Sequence, residues 1–258
     1  MRYGVCAELG NASAVKATGF DYIEMTVVGH LKPLENEDPT PRIKRQLHEV
    51  GISCESMNVF LPGDLKVTGP SVNREKLTAY IKTAGERAER LGVKVIVFGS
   101  GAARKVPDGF PRAEAKNQIL WFLKMVGEIF ASHELTLAIE PLNQGETNII
   151  NSVAEGASYC REVGHRSVKL LADAYHMALE NEPWENLIGA GDLLVHAHLA
   201  EPTERKAPSL KDYDYRPFLG NLKAGGYRGR VSIEANWDNL REQGSKALEV
   251  LRAVEENC

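Results

Sequence analysis

Short apolar runs alternate along the chain with longer stretches in which apolar residues recur every three or four positions. The runs are rich in Val, Ile and Leu, which is typical of parallel strands buried on both faces. The longer stretches predict amphipathic helices, for example over 73–91 and 113–131. The predicted strands lie at 2–8, 22–27, 53–59, 94–99, 136–142, 168–174, 193–199 and 230–235.

Eight strands separated by eight helical intervals predict an α/β fold, a single (β/α)₈ TIM barrel over residues 1–258. Junctions of helix, glycine and strand recur, for instance at Gly51, Gly92 and Gly164. The length of 258 residues matches the roughly 250 typical of this barrel. A doubly wound open sheet is the alternative, but it normally carries a Gly-rich first turn. Here the first predicted strand is followed by AELGNAS.

Composition narrows the class of protein. Hydrophobic residues are 43% and charged residues 26% of the chain, enough for a large core and a polar surface. The net charge of −4 argues against nucleic acid or an anionic membrane as the partner. The chain lacks a run of 18 apolar residues, and MRYGVCAELG lacks the features of a signal peptide. We therefore expect a cytoplasmic protein with reduced thiols at Cys6, Cys54, Cys160 and Cys258.

Four potential metal ligands each end one of the last four predicted strands: Glu140, Asp173, His198 and Glu234. The carboxyl ends of parallel strands meet at one mouth of a barrel, where catalytic residues lie. One strand-end carboxylate is more often an ordinary rim residue, but four such residues in register favour a site. Three carboxylates and one imidazole suit a single divalent ion such as Mn²⁺, Mg²⁺, Co²⁺ or Zn²⁺.

Four motifs carry a resemblance to a known family. They are IEPLNQGETNIINS (139–152), DAYHM (173–177), HAHLAE (196–201) and SIE (232–234). They resemble, in the same order, segments of the ketose 3-epimerases of the D-tagatose and D-psicose type, within the xylose isomerase-like barrel superfamily. The resemblance covers essentially the whole barrel, with the specific motifs in the C-terminal half. It implies a metal-dependent isomerase that acts on a small-molecule sugar.

The resemblance also implies roles for individual residues. Glu140, Asp173, His198 and Glu234 correspond to the ligands of one divalent ion, with Mn²⁺ as the first choice. Glu140 and Glu234 correspond in addition to the acid–base pair of the reaction.

Three further residues are candidates for substrate binding. By the resemblance, Glu146 and His176 bind the oxygens of the sugar near the metal. The family has an arginine six residues after the second histidine of its H-x-H motif. Here that position is Glu204, and Arg205 follows it, so Arg205 becomes the candidate. The charged segment 201–217 follows the seventh predicted strand, and we expect it to close over the substrate.

The chemistry of such a site follows from its groups. Moving a proton next to a carbonyl creates an enediolate, whose negative charge a divalent ion stabilises. Two carboxylates that act on opposite faces of the carbon produce an epimer. One carboxylate that acts twice on one face produces an aldose–ketose isomerisation. The sequence leaves both outcomes open.

Two neighbouring residues have alternative interpretations. His196 and His198 are two apart on one strand, so both face the barrel interior. His198 is nearer the mouth, whereas His196 is either a hydrogen-bonded core residue or part of the site. Trp237 either stacks on the sugar or seals the top of the barrel.

Other functions remain as alternatives. A lyase could use the same site, as in inositol-ketone dehydratases and C-glycoside-cleaving subunits, which resemble this barrel too. A non-catalytic partner subunit fits poorly with a complete ligand set. An apurinic-site endonuclease fits poorly with seven histidines and a negative charge. Because a Gly-rich phosphate loop is missing, a non-phosphorylated sugar is favoured. The sugar, the physiological metal and the formation of a homo-oligomer stay open.

Overall fold

The structure is a computed structural model that describes residues 1–209 and 213–258. Eight parallel strands close into a barrel in chain order, and the first strand pairs with the last. The predicted α/β fold, a single (β/α)₈ TIM barrel, is therefore confirmed. The strands are β1 (Arg2–Cys6), β2 (Tyr22–Thr26), β3 (Ser53–Asn58), β4 (Val95–Phe98), β5 (Thr136–Ile139), β6 (Val168–Asp173), β7 (Leu194–Leu199) and β8 (Arg230–Ile233).

Helices cover the outside of the barrel, and the two that were predicted over 73–91 and 113–131 are present. The described helices are α1 (Ala12–Ala17), α2 (Thr40–Val50), α3 (Arg74–Leu91), α4 (Gly101–Arg104), α5 (Arg112–Ser132), α6 (Val153–Val163), α7 (Ala174–Leu179), α8 (Asn186–Gly189), α9 (Arg216–Ala224) and α10 (Leu240–Glu256), with a 3₁₀ turn at Leu9–Asn11 and a π-helical turn at Val27–Leu31. The predicted junctions at Gly51, Gly92 and Gly164 end α2, α3 and α6 in the left-handed conformation.

The fifth strand is shorter than predicted. The apolar pattern predicts a strand over 136–142, but the structure ends it at Ile139. The carbonyl of Glu140 accepts a hydrogen bond from the side chain of Arg104, and Pro141 has no N–H to donate. The chain therefore leaves the sheet at Glu140, which frees that side chain to turn towards the barrel mouth.

Inside the barrel, apolar and polar residues occupy different strands. Strands β4, β5 and β6 contribute a small apolar cluster that is separate from the main core between strands and helices. Strands β2, β3, β7 and β8 contribute fully buried polar side chains instead. These polar residues are Glu24, Ser56, His196, His198 and Ser232. A buried polar group must be hydrogen-bonded, so this half of the interior predicts a connected network.

The cysteines and the helices bear on two further predictions. All four cysteines are free thiols, as expected from their spacing. None of the described helices combines the length and apolarity needed to cross a membrane.

Candidate active site

The four predicted ligands meet at the carboxyl end of the barrel. Asp173 ends β6, and His198 is its register partner on β7. Glu140 and Glu234 directly follow the last residues of β5 and β8. One potential ligand atom from each of the four lies within 4.8 Å of the others. The predicted convergence is therefore present, while the role of these residues as ligands stays a prediction.

The contacts at this point fit a divalent cation. The Nδ1 atom of His198 lies 3.1 Å from Oε1 of Glu140 and 3.2 Å from Oε2 of Glu234. Oδ2 of Asp173 is buried and, among the described residues, has no hydrogen-bond partner. Arg205 lies 3.8 Å from this oxygen, and a buried carboxylate oxygen without a hydrogen bond is costly unless a cation or proton comes closer. Three carboxylates and one imidazole nitrogen are donors that such an ion accepts.

Glu24 on β2, which the sequence analysis missed, supports His198 from below. Its Oε1 accepts a hydrogen bond from Nε2 of His198 at 2.9 Å. Its Oε2 accepts from Nε2 of His196 at 2.7 Å and from the hydroxyls of Ser56 and Ser232 at 2.6 Å each. Because Nε2 of His198 donates to a carboxylate, Nδ1 is the nitrogen that faces Glu140, Glu234 and the proposed ion, and it would offer a lone pair to that ion once its own proton is displaced.

His196 is a hydrogen-bonded core residue, which decides between its two interpretations. The side chain is fully buried, and its Nε2 is committed to Glu24. Burial lowers the pKa of His196 below its ordinary value, although the charge of Glu24 opposes this effect. His196 lies two residues before His198 on β7, deeper in the barrel. As a neutral histidine, it belongs to the hydrogen-bonded network around Glu24 and not to the mouth of the barrel.

The two carboxyl groups beside His198 are not equivalent. Burial raises the pKa of Glu140 above its ordinary value, and the charge of Glu234 adds to this effect. Burial acts on Glu234 as well, but the positive charges of His198 and Arg205 outweigh it and lower the pKa of Glu234 to about 2. Environments that push two neighbouring carboxyl pKa values apart are typical of an acid–base pair.

A second group of potential ligands, Cys6, Glu24 and His198, lies beside the first. The Nε2 atom of His198 that faces this group already donates to Glu24. Burial and the charge of Glu24 raise the pKa of Cys6 well above its ordinary value. The neutral thiol that results is a poor ligand, so the carboxylate-rich group is the better metal centre.

His176 is held in one tautomer. Its Nδ1 accepts hydrogen bonds from the backbone N–H of Asn143 at 3.2 Å and from the Asn143 side chain at 2.9 Å. The proton of a neutral imidazole must then be on Nε2, which is buried and without a hydrogen bond among the described residues. This Nε2 lies 3.6 Å from Oδ2 of Asp173. His176 is therefore buried beside the four-residue group, and its N–H is free to donate.

Arg205 lies inside the site despite its shifted position in the sequence. It donates to Oε2 of Glu234 at 2.6 Å and lies 3.5 Å from Oε1 of Glu146. Its guanidinium also covers the ring of Tyr175 at 4.6 Å. Glu204 and Arg205 both have positive φ, an unfavourable conformation outside glycine that is typical of functional loops. Within the predicted closing segment 201–217, residues 210–212 lie outside the described part of the chain.

The backbone around Glu140 leaves little freedom for its carboxylate. The buried guanidinium of Arg104 donates to the carbonyls of Phe98 and Glu140 at 2.8 and 2.7 Å, which joins the ends of β4 and β5. A Cβ atom at Gly99 would lie 2.3 Å from Oε2 of Glu140. The absence of a side chain at Gly99 therefore makes room for the Glu140 carboxylate.

A cavity of about 310 Å³ opens in front of these groups, and we call it the catalytic chamber. Its wall includes all three predicted substrate-binding residues, Glu146, His176 and Arg205, together with Glu140 and Glu234. The structure therefore brings every predicted site residue to one place. Asn143, Glu24 and Arg104 were missed, because their roles depend on contacts between distant segments.

The chain resembles characterised sugar epimerases along most of its length. L-ribulose 3-epimerase of Methylomonas sp. (strain DH-1) is 27% identical over 232 residues, which cover 87% of this chain and 76% of that protein. The 3-dehydro-D-guloside 4-epimerase of Escherichia coli (strain K12) is 28% identical over 229 residues, covering 85% and 84%. These matches confirm the prediction of an enzyme of the isomerase class.

Comparison with solved structures also finds a sugar epimerase with the same fold. The crystal structure of D-psicose 3-epimerase with D-tagatose from Clostridium cellulolyticum H10 has a TM-score of 0.87, 20% identity and coverage of 99% of both chains. The sequence model of the xylose isomerase-like TIM barrel family matches residues 12–254. The chain therefore belongs to the xylose isomerase-like TIM barrel family.

Proposed function

We propose that this protein is a divalent-metal-dependent epimerase of a keto sugar, which moves a proton on the carbon next to the carbonyl. The observation that carries the proposal is the convergence of Glu140, Asp173, His198 and Glu234, with one buried Asp173 oxygen left without a hydrogen bond among the described residues. The names of the two curated relatives, a ribulose epimerase and a dehydro-guloside epimerase, support a keto sugar as substrate.

The four residues would hold one ion, with Mn²⁺ as the first choice and Mg²⁺, Co²⁺ or Zn²⁺ as alternatives. His198 would contribute Nδ1, because its Nε2 donates to Glu24. When bound, the ion supplies Lewis-acid stabilisation of the charge that develops on the sugar oxygens in the enediolate.

Glu140 and Glu234 would move the proton. The low pKa of Glu234 keeps this carboxylate ionised, and it would remove a proton from the carbon. Burial raises the pKa of Glu140, so this carboxyl group holds a proton more readily than Glu234 does, and it would return a proton from the other face. Proton removal and return on opposite faces produce an epimer, whereas an aldose–ketose isomerase would need one group to do both.

The substrate-binding residues have complementary hydrogen-bonding capacity. The Nε2–H of His176 donates, and the carboxylate of Glu146 accepts from a sugar hydroxyl. Arg205 donates to two neighbouring oxygens at once, since its guanidinium is a planar fork. The hydrogen bonds from Asn143 hold His176 in the orientation that this role needs.

A metal experiment tests the first half of the proposal. We expect about one divalent ion per chain by elemental analysis, loss of activity in EDTA and recovery when Mn²⁺ is added back. Asp173→Asn should weaken metal binding by about tenfold or more, because a neutral amide replaces an anionic ligand. Asp108→Asn, at an exposed position, is the matched control. Full activity in EDTA without bound metal would contradict the proposal.

A solvent-exchange experiment tests the second half. The protein is incubated in D₂O with a panel of keto sugars, and both deuterium incorporation and new sugars are followed. An epimer that carries deuterium next to the carbonyl supports the proposed reaction. Loss of a leaving group would instead identify the lyase that the sequence analysis kept as an alternative. Absence of exchange with every sugar would contradict both.

A further inference from the structure

A second, larger cavity adjoins the catalytic chamber. It has a volume of about 780 Å³ and lies at the ends of β1 and β8, and we call it the distal chamber. Asn58, Val59 and Glu234 line both cavities. The Asn58 side chain donates to Oε1 of Glu234 at 2.8 Å, while its own Oδ1 is buried and without a partner among the described residues. The two chambers therefore meet at the proposed base, Glu234.

The combined space exceeds the needs of a free ketose. Cavities of about 300–1,000 Å³ hold drug-sized ligands, whereas a hexulose has only about 12 non-hydrogen atoms. The catalytic chamber, at about 310 Å³, already lies within that range and contains the predicted substrate-binding side chains. The distal chamber is therefore room for a further group on the substrate.

The wall of the distal chamber has the chemistry of a carbohydrate site. The side-chain amides of Asn11, Asn236 and Asn239 line it, and each offers both donors and an acceptor, as sugar hydroxyls require. The half-buried Trp237 adds a flat apolar surface on which the C–H face of a sugar ring can pack. Its indole N–H has no partner among the described residues.

The charges of the distal chamber select for a neutral group. Four carboxylates line it, Glu8, Glu24, Glu234 and Asp238, against one guanidinium, that of Arg241. A phosphate or a uronate would meet like charges there, and such a juxtaposition opposes binding.

We propose that the substrate is a keto sugar that carries a neutral glycosyl substituent away from its reacting carbonyl. The carbonyl end occupies the catalytic chamber, and the glycosyl group occupies the distal chamber, stacked on Trp237. This inference rests on the proposed epimerase function and specifies its substrate class.

Matched substrates test the inference. One set compares D-fructose with isomaltulose and leucrose, in which glucose is attached to O6 and O5 of fructose. The fructose unit has a different ring form in each of these two disaccharides. A preference for both of them over fructose therefore cannot be explained by the abundance of one ring form in solution. A second set compares 3-dehydro-D-glucose with 3-dehydrotrehalose. In at least one set, we expect kcat/KM to be at least about tenfold higher for the glycosylated sugars than for the free sugar, mainly because their KM is lower. D-fructose 6-phosphate should not share that advantage over fructose.

Variants of α1 connect the preference to the distal chamber. Ala14 lines this chamber, whereas Ser13 is exposed on the same helix and does not. Ala14→Trp should remove the advantage of the glycosylated sugar, and Ser13→Trp should keep it. Trp237→Ala is the second variant, and it should raise KM for the glycosylated sugar more than KM for the free one.

The outcomes separate the two proposals. Equal or better turnover of the free sugar in every active set would overturn the inference and leave the epimerase function standing. A glycosyl preference that survives both Ala14→Trp and Trp237→Ala in folded protein would also overturn it. Absence of exchange with all of these sugars would contradict the epimerase function, and the inference with it.

Discussion

At the scale of single residues, Glu24 sets the orientation of His198. It lies in the middle of β2, is fully buried and accepts four hydrogen bonds, two of them from histidines. Burial tends to raise the pKa of Glu24, but the positive charge of His198 and the hydrogen bonds from both histidines outweigh it and lower that pKa well below its ordinary value. Glu24 is therefore an anion that makes the His198 imidazole a better electron donor.

Glu24→Gln tests this arrangement. The variant keeps the shape of the side chain but removes its charge, and we expect metal affinity to fall by about 10–100-fold. Titration calorimetry with Mn²⁺ measures the affinity, and thermal unfolding of the metal-free protein measures the stability. Ser56→Ala removes one donor to Glu24 without changing its charge and should have a smaller effect on affinity. A lower melting temperature with unaltered affinity would mean that Glu24 only fills the barrel interior.

The unequal carboxyl groups lead to a second prediction. Glu140→Gln and Glu234→Gln should each lower kcat by about a hundredfold or more, because each removes a proton-transfer group. The two variants should differ in D₂O. Glu140→Gln retains the base and should still exchange the substrate proton without forming the epimer, whereas Glu234→Gln should lose both. Near-normal turnover in both variants would rule out the acid–base pair.

The residue scale also shows where sequence patterns stop being informative. Glu140, Asp173, His198 and Glu234 were predictable because each ends an apolar run, and parallel strands bring their carboxyl ends together. Glu24 has no such signal, since it interrupts the strand YIEMT and its partners lie on β3, β7 and β8. The alternation along β2 places Glu24 on the face opposite to Ile23 and Met25, but only the closed barrel shows what it meets.

At the scale of elements, one arginine joins the loops that carry the site. Arg104 is fully buried at the end of α4 and donates to the carbonyls of Phe98, Glu140 and Ile150. Burial lowers the pKa of Arg104 to about 10, although nearby carboxylates oppose this effect, so the side chain stays charged at neutral pH. Arg104 therefore supplies hydrogen-bond donors to backbone carbonyls at the strand ends and in the following loop.

Arg104→Met tests the importance of this link. Methionine fills part of the space but leaves three buried carbonyls without their donor, so unfolding free energy should fall by at least about 3 kcal/mol. Urea unfolding measures the loss, and Lys105→Met, at an exposed neighbouring position, is the control. Metal affinity should fall as well, because the Glu140 backbone is no longer held. A change in stability similar to that of the control would contradict the role of Arg104.

The presence of the strands and helices was more predictable from the sequence than the residues at which they end. The strands and the helices α3 and α5 follow from periodicity, because burial on two faces or on one stripe leaves a regular pattern. The early end of β5 at Ile139 does not, since it depends on Arg104 from a different segment. The inward turn of Arg205 depends in the same way on two left-handed residues, which the sequence around position 204 does not indicate.

At the scale of the whole molecule, the two ends of the barrel serve different purposes. The carboxyl end carries the proposed chemistry. The amino end carries an ion-pair cluster, and residues at this end of such barrels contribute mainly to stability. Glu55 on β3 accepts hydrogen bonds from Arg2 on β1 at 2.6 and 2.9 Å and from Arg230 on β8 at 2.7 Å. This cluster links three strands of the closed sheet around the point where β1 meets β8.

The cluster makes part of the stability dependent on pH. Burial tends to raise the pKa of Glu55, but the hydrogen bonds and charges of Arg230 and Arg2 outweigh it and lower that pKa below its ordinary value. The stabilisation is therefore complete above a pH of about 4.3, the pKa of an unfolded glutamate, and is lost as the pH falls through the lower folded-state pKa.

Glu55→Gln should lower the free energy of unfolding by about 0.5–1 kcal/mol at pH 7, a modest amount because solvent screens the half-exposed Arg2. The difference from the unaltered protein should disappear in acid, below the folded-state pKa, where Glu55 is protonated in both states. Glu49→Gln, at an exposed position on α2, should show no such pH dependence. Turnover at neutral pH should not change, since the substitution lies at the end of the barrel opposite to Glu140 and Glu234. A stability difference that stays constant down to pH 3 would show that Glu55 contributes through packing and not through its charge.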